Sequence, residues 1–159
     1  MRLSLLFLGL TILLASCSSA PSKAPAAAAA VTPTPAVKPA DETRRFPLAD
    51  QTGTEVVDSH LLGKAFMPGG TLAHYKKGRL AYDMFVAKLG SPTDAAIALL
   101  DWNKALANAD FIPSFGGYFG QDGERPVFVF AKGSWIAGIA GLPQKEADAQ
   151  ARVLASRLD

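Results

Sequence analysis

Apolar and polar positions along this chain fall into a regular order of strands and helices. Residues 71–75 and 80–89 read as two strands joined at Lys77-Gly78, and residues 127–130 and 135–140 as a second pair joined at Lys132-Gly133. Between the pairs, Gly90-Ser91-Pro92 opens a helix, with Ser91 as its N-cap, Pro92 in its first position and Asp94 in its first turn. Ala95, Leu99, Trp102 and Leu106 recur at helical spacing and predict one buried face. Leu142-Pro143 opens a last helix. Glu146 and Asp148 lie in its first turns, and Ala147, Ala151, Leu154 and Leu158 form its apolar face. Residues 107–125 have neither period and predict a long loop rich in glycine and aromatics.

The two halves echo each other. Tyr75-Lys76-Lys77-Gly78-Arg79-Leu80-Ala81 parallels Phe130-Ala131-Lys132-Gly133-Ser134-Trp135-Ile136, and each hairpin is followed by Gly-x-Pro and a helix. Strand-strand-helix, twice, predicts an α+β fold: a four-stranded, mainly antiparallel sheet with two helices on one face. One feature strains that expectation. Val127 through Phe130 are all apolar, as are Trp135, Ile136 and Ile139, whereas a sheet with one open face should alternate. Something must cover the second face: a partner, another copy, or residues 46–70. The last is expected, because Phe46, Leu48, Val56, Val57, Leu61, Leu62 and Phe66 supply suitable side chains.

Composition changes ahead of residue 46. Residues 18–45 are dominated by Ala, Pro, Ser and Thr, with almost no apolar bulk to bury, and read as a disordered tether. The expected organisation is a leader over 1–16, a modified cysteine and linker over 17–45, and a single domain over 46–159. The formal net charge is only +2. Lys76, Lys77 and Arg79 cluster at a hairpin tip and read as a solvated turn, so nucleic acid is not an expected partner.

The first residues place the chain. Met1-Arg2 precedes an apolar run over residues 3–14, the order of a secretory signal, and the run is shorter than the roughly 20 residues that a bilayer core requires. Leu14-Ala15-Ser16-Cys17 then resembles the lipobox of bacterial lipoproteins. That resemblance implies cleavage between Ser16 and Cys17, a diacylglycerol thioether on the Cys17 thiol, and anchoring through acyl chains. Cys17 is the only cysteine, so no intramolecular disulfide competes for it. Two or three acyl chains hold a protein on a membrane where one binds only marginally. Ser18 stands where an Asp would imply inner-membrane retention in Gram-negative lipoproteins. The resemblance therefore implies a cell-envelope protein on the periplasmic face of the outer membrane.

Enzyme signals are sparse. The chain has no phosphate-binding glycine loop, no His-Glu-x-x-His and no Gly-x-Ser-x-Gly. Its two histidines, His60 and His74, do not predict a metal site, and no cofactor is expected. Asp83 interrupts an apolar strand, and counting around Lys77-Gly78 brings it near His74. A general-base role is one reading; a polar residue on a half-exposed strand face is the favoured one. The candidate ligand or partner loop is 111–125, where Phe115, Tyr118 and Phe119 are set among Gly116, Gly117 and Gly120. The aromatics suit stacking on a ligand or plugging the core. Val86-Ala87-Lys88-Leu89-Gly90-Ser91 and Ile139-Ala140-Gly141-Leu142-Pro143 are similar to the strand-to-helix turns of SPOR modules, which bind peptidoglycan glycan strands. The expected function is a non-enzymatic binding or interaction domain on a lipid anchor. A SPOR-like glycan-binding module is the alternative, and a small periplasmic hydrolase the third reading.

Overall fold

The computed structural model describes residues 38–159; the leader, the lipobox with Ser16 and Cys17, and most of the Ala/Pro-rich stretch lie outside the described residues. Both Lys-Gly turns close hairpins. β2 (Pro68–Lys77) pairs with β3 (Leu80–Lys88), and β6 (Arg125–Lys132) with β7 (Trp135–Ala140). Gly78 and Gly133 stand at φ 62° and 55°, where a side chain would be strained.

Three further strands join them: β1 (Gln51–Ser59), β4 (Ala107–Ile112) and β5 (Gly117–Asp122). The result is one seven-stranded sheet of order β1-β2-β3-β7-β6-β5-β4, with each neighbouring pair antiparallel. The broad α+β class stands, but the four-stranded sheet does not. The expected loop at 107–125 is a hairpin added to β6. Its glycines mark close backbone approach: a Cβ on Gly117 would sit 2.4 Å from the Val129 carbonyl oxygen and 3.0 Å from the Phe130 Cβ. β1 escaped prediction because it is a polar edge strand, mostly exposed.

The helices α1 (Pro92–Ala105) and α2 (Gln144–Ala155) lie on opposite faces, not on one. Side chains of each central strand alternate between two cores. Met84, Val86, Phe128, Phe130, Ala137 and Ile139 pack with Ala147, Ala151, Leu154 and Leu158 around α2. Phe85, Ala87, Val127, Val129 and Ile136 pack with Ala98 and Trp102 of α1 and with Leu106 just beyond its end. The continuous apolar runs are thus those of central strands buried on both sides. Residues 46–70 add to both covers: Phe46 joins the α2 core, and Leu61 and Met67 the α1 core, while Leu48 is exposed.

Alternation of direction makes β4 parallel to β3, so α1 crosses from the centre of the sheet to its far edge over β7, β6 and β5. A twofold rotation exchanging antiparallel β3 and β7 would keep both helices on one face. Their opposite placement is not the one that such a rotation gives.

The packed domain begins ahead of residue 46. The buried Thr71 hydroxyl accepts from the Glu42 backbone N–H at 3.0 Å and donates to the Ala40 carbonyl at 3.3 Å. Arg45 pairs with Glu42 at 2.8 Å, donates to the Arg157 carbonyl and lies over the Trp135 ring. The Trp135 indole in turn donates to the Asp159 carbonyl at 2.9 Å.

Candidate functional site

Two places gather chemistry-bearing side chains, one on each face. On the α1 face, direct opposition of His74 and Asp83 in the β2–β3 register brings His74 Nδ1 to 2.8 Å from Asp83 Oδ1. The other Asp83 oxygen accepts from Arg125 at 2.6 Å, and Arg125 also donates to the Ala140 carbonyl. His74 Nε2 faces Glu55 of β1 at 3.8 Å. The carboxylate is thus held on both oxygens, and the imidazole lies between two acids. His60 stands beyond the far end of β1 from Gly53, the residue that pairs with His74, so the fold does not bring the two histidines together. Among the described residues, no group of three or more acidic, His or Cys side chains has a metal-binding arrangement.

On the α2 face, a groove runs between α2 and the β4–β5 hairpin. It consists of two hollows of about 410 and 390 Å³ that share Ser114. Their helix wall is a single stripe, Gln144, Lys145, Asp148, Arg152, Ala155 and Ser156, at the three- and four-residue spacing that puts side chains on one face. The opposite wall is the hairpin turn, and the floor is Phe128 and Phe130 of β6. A 12-residue helix makes the groove about 18 Å long.

The residues singled out in the 111–125 stretch divide between structure and groove. Phe115 packs edge-on against Phe128 and Phe130, with centroids 5.3 and 4.7 Å away, and lines the groove. Phe119 packs on the same core, while Tyr118 points to the other face and meets Phe111 at 5.4 Å. Gly116 (φ 69°) ends the turn and Gly117 starts β5. The stretch is therefore not one aromatic platform: Phe115 and Phe119 belong to one side of the sheet and Tyr118 to the other.

Arg152 lines one hollow and bonds to Asp148, which lines the other. Its guanidinium lies 5.3 Å from the Phe115 ring centroid, makes two bonds to Asp148 at 2.9 and 3.1 Å, and reaches Ser114 at 3.4 Å. Lys132 donates to the Ala155 carbonyl at one mouth, and Lys145 lines the other. Three cations therefore line the groove against one carboxylate. Glu146 and Gln150 turn to the opposite side of α2, where they line a smaller hollow with Leu80 and Tyr82. In sequence Lys132 stands out only as a hairpin-turn residue, and Lys145 and Arg152 not at all; their signal is the 145-148-152-156 spacing, which reads as an ordinary solvated helix face until the hairpin is placed beside it.

Beside that smaller hollow, Tyr75 and Tyr82 stack with centroids 4.9 Å apart, and the Tyr75 hydroxyl donates to the Pro47 carbonyl. Burial pushes the Tyr75 hydroxyl well above its ordinary range, and the Tyr82 hydroxyl adds to the effect; burial raises Tyr82 as well, followed by Asp50.

Among the described residues, no helix is long and apolar enough to cross a membrane. Comparison with protein-family models, with curated proteins and with solved structures finds nothing that matches this chain.

Proposed function

We propose that this chain is a lipid-anchored cell-envelope lipoprotein, held through Cys17 on the periplasmic face of the outer membrane, whose domain binds a partner without catalysing a reaction. The observation that carries the binding part is the groove along α2, with an apolar floor and a cationic wall. Ligand sites combine an apolar surface with a few placed polar groups in this way. The non-catalytic part is supported by the environment of Asp83. Both its oxygens are engaged, by His74 and by Arg125, and the free side of His74 meets a carboxylate instead of a hydroxyl that it could activate. The anchoring part rests on Leu14-Ala15-Ser16-Cys17.

Metabolic labelling with a palmitate analogue tests the anchor: label on the wild-type chain, lost in Cys17→Ser, is the expected result, and label persisting in Cys17→Ser refutes it. The class is tested by measuring hydrolase activity with Asp83→Asn and His74→Ala. An activity abolished by either substitution, in a variant that remains folded at the assay temperature, would make the protein an enzyme and end the proposal.

A further inference from the structure

We infer that the groove between α2 and the β4–β5 hairpin is a docking site for an extended acidic peptide segment carrying an apolar side chain. This rests on the binding-domain reading above and specifies its ligand.

Charge is the first ground. Lys145, Arg152 and Lys132 are distributed from one mouth to the other, and only Asp148 opposes them. Along a helix, Lys145 and Arg152 are about 10 Å apart, the span of three extended residues. Carboxylates three positions apart on an extended segment match that spacing, and those at alternate positions, about 7 Å apart on one face, lie within reach of these two long side chains. The whole groove accommodates about five such residues.

The state of Arg152 is the second ground. Its fork is satisfied by a carboxylate four residues earlier on its own helix, while its guanidinium lies over the Phe115 ring, 5.3 Å from the centroid. Such an exposed pair is worth little, because both groups remain hydrated; 53% of the arginine side chain and 31% of the aspartate side chain are accessible. A ligand carboxylate replacing Asp148 would meet the same planar fork without ordering the arginine anew, since Phe115 already orients it.

The placement of Phe115 separates this occupant from a glycan strand. A sugar ring stacks on an open aromatic face. The Phe115 ring packs against Phe128 and Phe130 through edge contacts, and the Arg152 guanidinium already lies over it, 5.3 Å from its centroid. What remains is an apolar slot beside a cation, suited to an aliphatic side chain next to a carboxylate.

The test uses the full-length chain in detergent and a fluorescein-labelled peptide of alternating Glu and Leu, with a Lys/Leu peptide and purified peptidoglycan sacculi as comparison arms. The expected result is anisotropy-detected binding of the Glu/Leu peptide alone, weakening as salt rises. Arg152→Glu should weaken it about tenfold or more, whereas Asp148→Asn, which releases Arg152 and removes the opposing charge, should tighten it severalfold. Lys104→Glu, on the solvent side of α1, should leave it unchanged. The inference is overturned if the Glu/Leu peptide fails to bind, if Lys104→Glu weakens binding as much as Arg152→Glu, or if Asp148→Asn weakens it. Sacculi bound in an Arg152-dependent way, with the peptide unbound, would put a glycan in the groove: that result overturns the peptide assignment and keeps the binding-domain reading. An enzymatic activity dependent on Asp83 or His74 would instead strike the broader reading.

Discussion

Replacing Phe46 by alanine tests whether the segment that leads into the domain belongs to its core. The ring is 1% exposed and packs in the cluster formed by α2 and the strands beneath it. Truncation removes its transfer free energy and leaves a cavity, for a loss of about 3–5 kcal/mol in well-packed interiors. The lower end of that range serves as the minimum expected effect. About 3 kcal/mol is a large share of the 5–15 kcal/mol that holds a domain of this size together. With a urea slope of about 1.5–2 kcal/mol per molar, the unfolding midpoint falls by about 1.5–2 M. Trp102 and Trp135 are both buried and report the transition by fluorescence. Leu48→Ala is the matched control: that side chain lies two residues on and is 81% exposed, so its change stays within about 0.5 kcal/mol. If Phe46→Ala and Leu48→Ala unfold at the same urea concentration, the leading segment is an appendage and the reasoning fails.

Three more expectations follow from the packing. Gly138→Ala should lower the thermal midpoint, at a cost of about 1–3 kcal/mol, because its Cβ would stand 2.3 Å from the Phe128 carbonyl oxygen and 2.5 Å from the Phe85 ring; an unchanged midpoint means that the two central strands are looser than described. Stability should fall as pH rises above about 10, since Tyr75 and Tyr82 are raised by burial and the folded state keeps protons that the unfolded chain releases; below that pH the contribution of these two tyrosines is constant. Tyr75→Phe should flatten this alkaline slope, and an equally steep slope in the variant would assign it elsewhere. Asp83→Asn should cost about 1 kcal/mol, less in high salt, by loosening both His74 and Arg125; denaturant melts at two salt concentrations check the size and its screening.

Local signals in the sequence identified some elements well. Ser91 caps α1, accepting from the Asp94 N–H at 3.1 Å, and both Lys-Gly hairpins stand where the turn residues put them. The opposition of His74 and Asp83 was a matter of counting residues from a two-residue turn. Features set by neighbours were harder to read. Gly117 looks like a loop glycine until β6 lies beside it, and Gly120 until Leu106 and the start of β4 do; β1 carries polar side chains because it is an edge. The apolar runs of β6 and β7 did hold the information that both faces are covered, but not that each helix takes one. That follows from the path of α1 across the sheet, a long-range property with no local signature. The groove was hidden for the same reason. Its two walls, Ser114–Phe115 and the 145–156 stripe, are far apart in the chain and meet only after the β4–β5 hairpin has formed.

The central pairing of β3 with β7 also shapes how the chain reaches this structure. On one side of it, β1, β2 and β3 form an antiparallel meander closed by nearby contacts, and on the other β4 to β7 form a second. The seam between them, Asp83↔Ala140 through Lys88↔Trp135, joins residues from distant parts of the sequence. Its formation must close a loop that contains α1 and three strands, an entropic cost met before the seam contacts reward it. The two meanders should therefore form early and dock late. Until they dock, β3 and β7 are open strand edges with apolar side chains on both surfaces, the kind of intermediate most prone to misassociation. Crowding at this seam, as at Gly138, would slow folding as well as weaken the finished sheet.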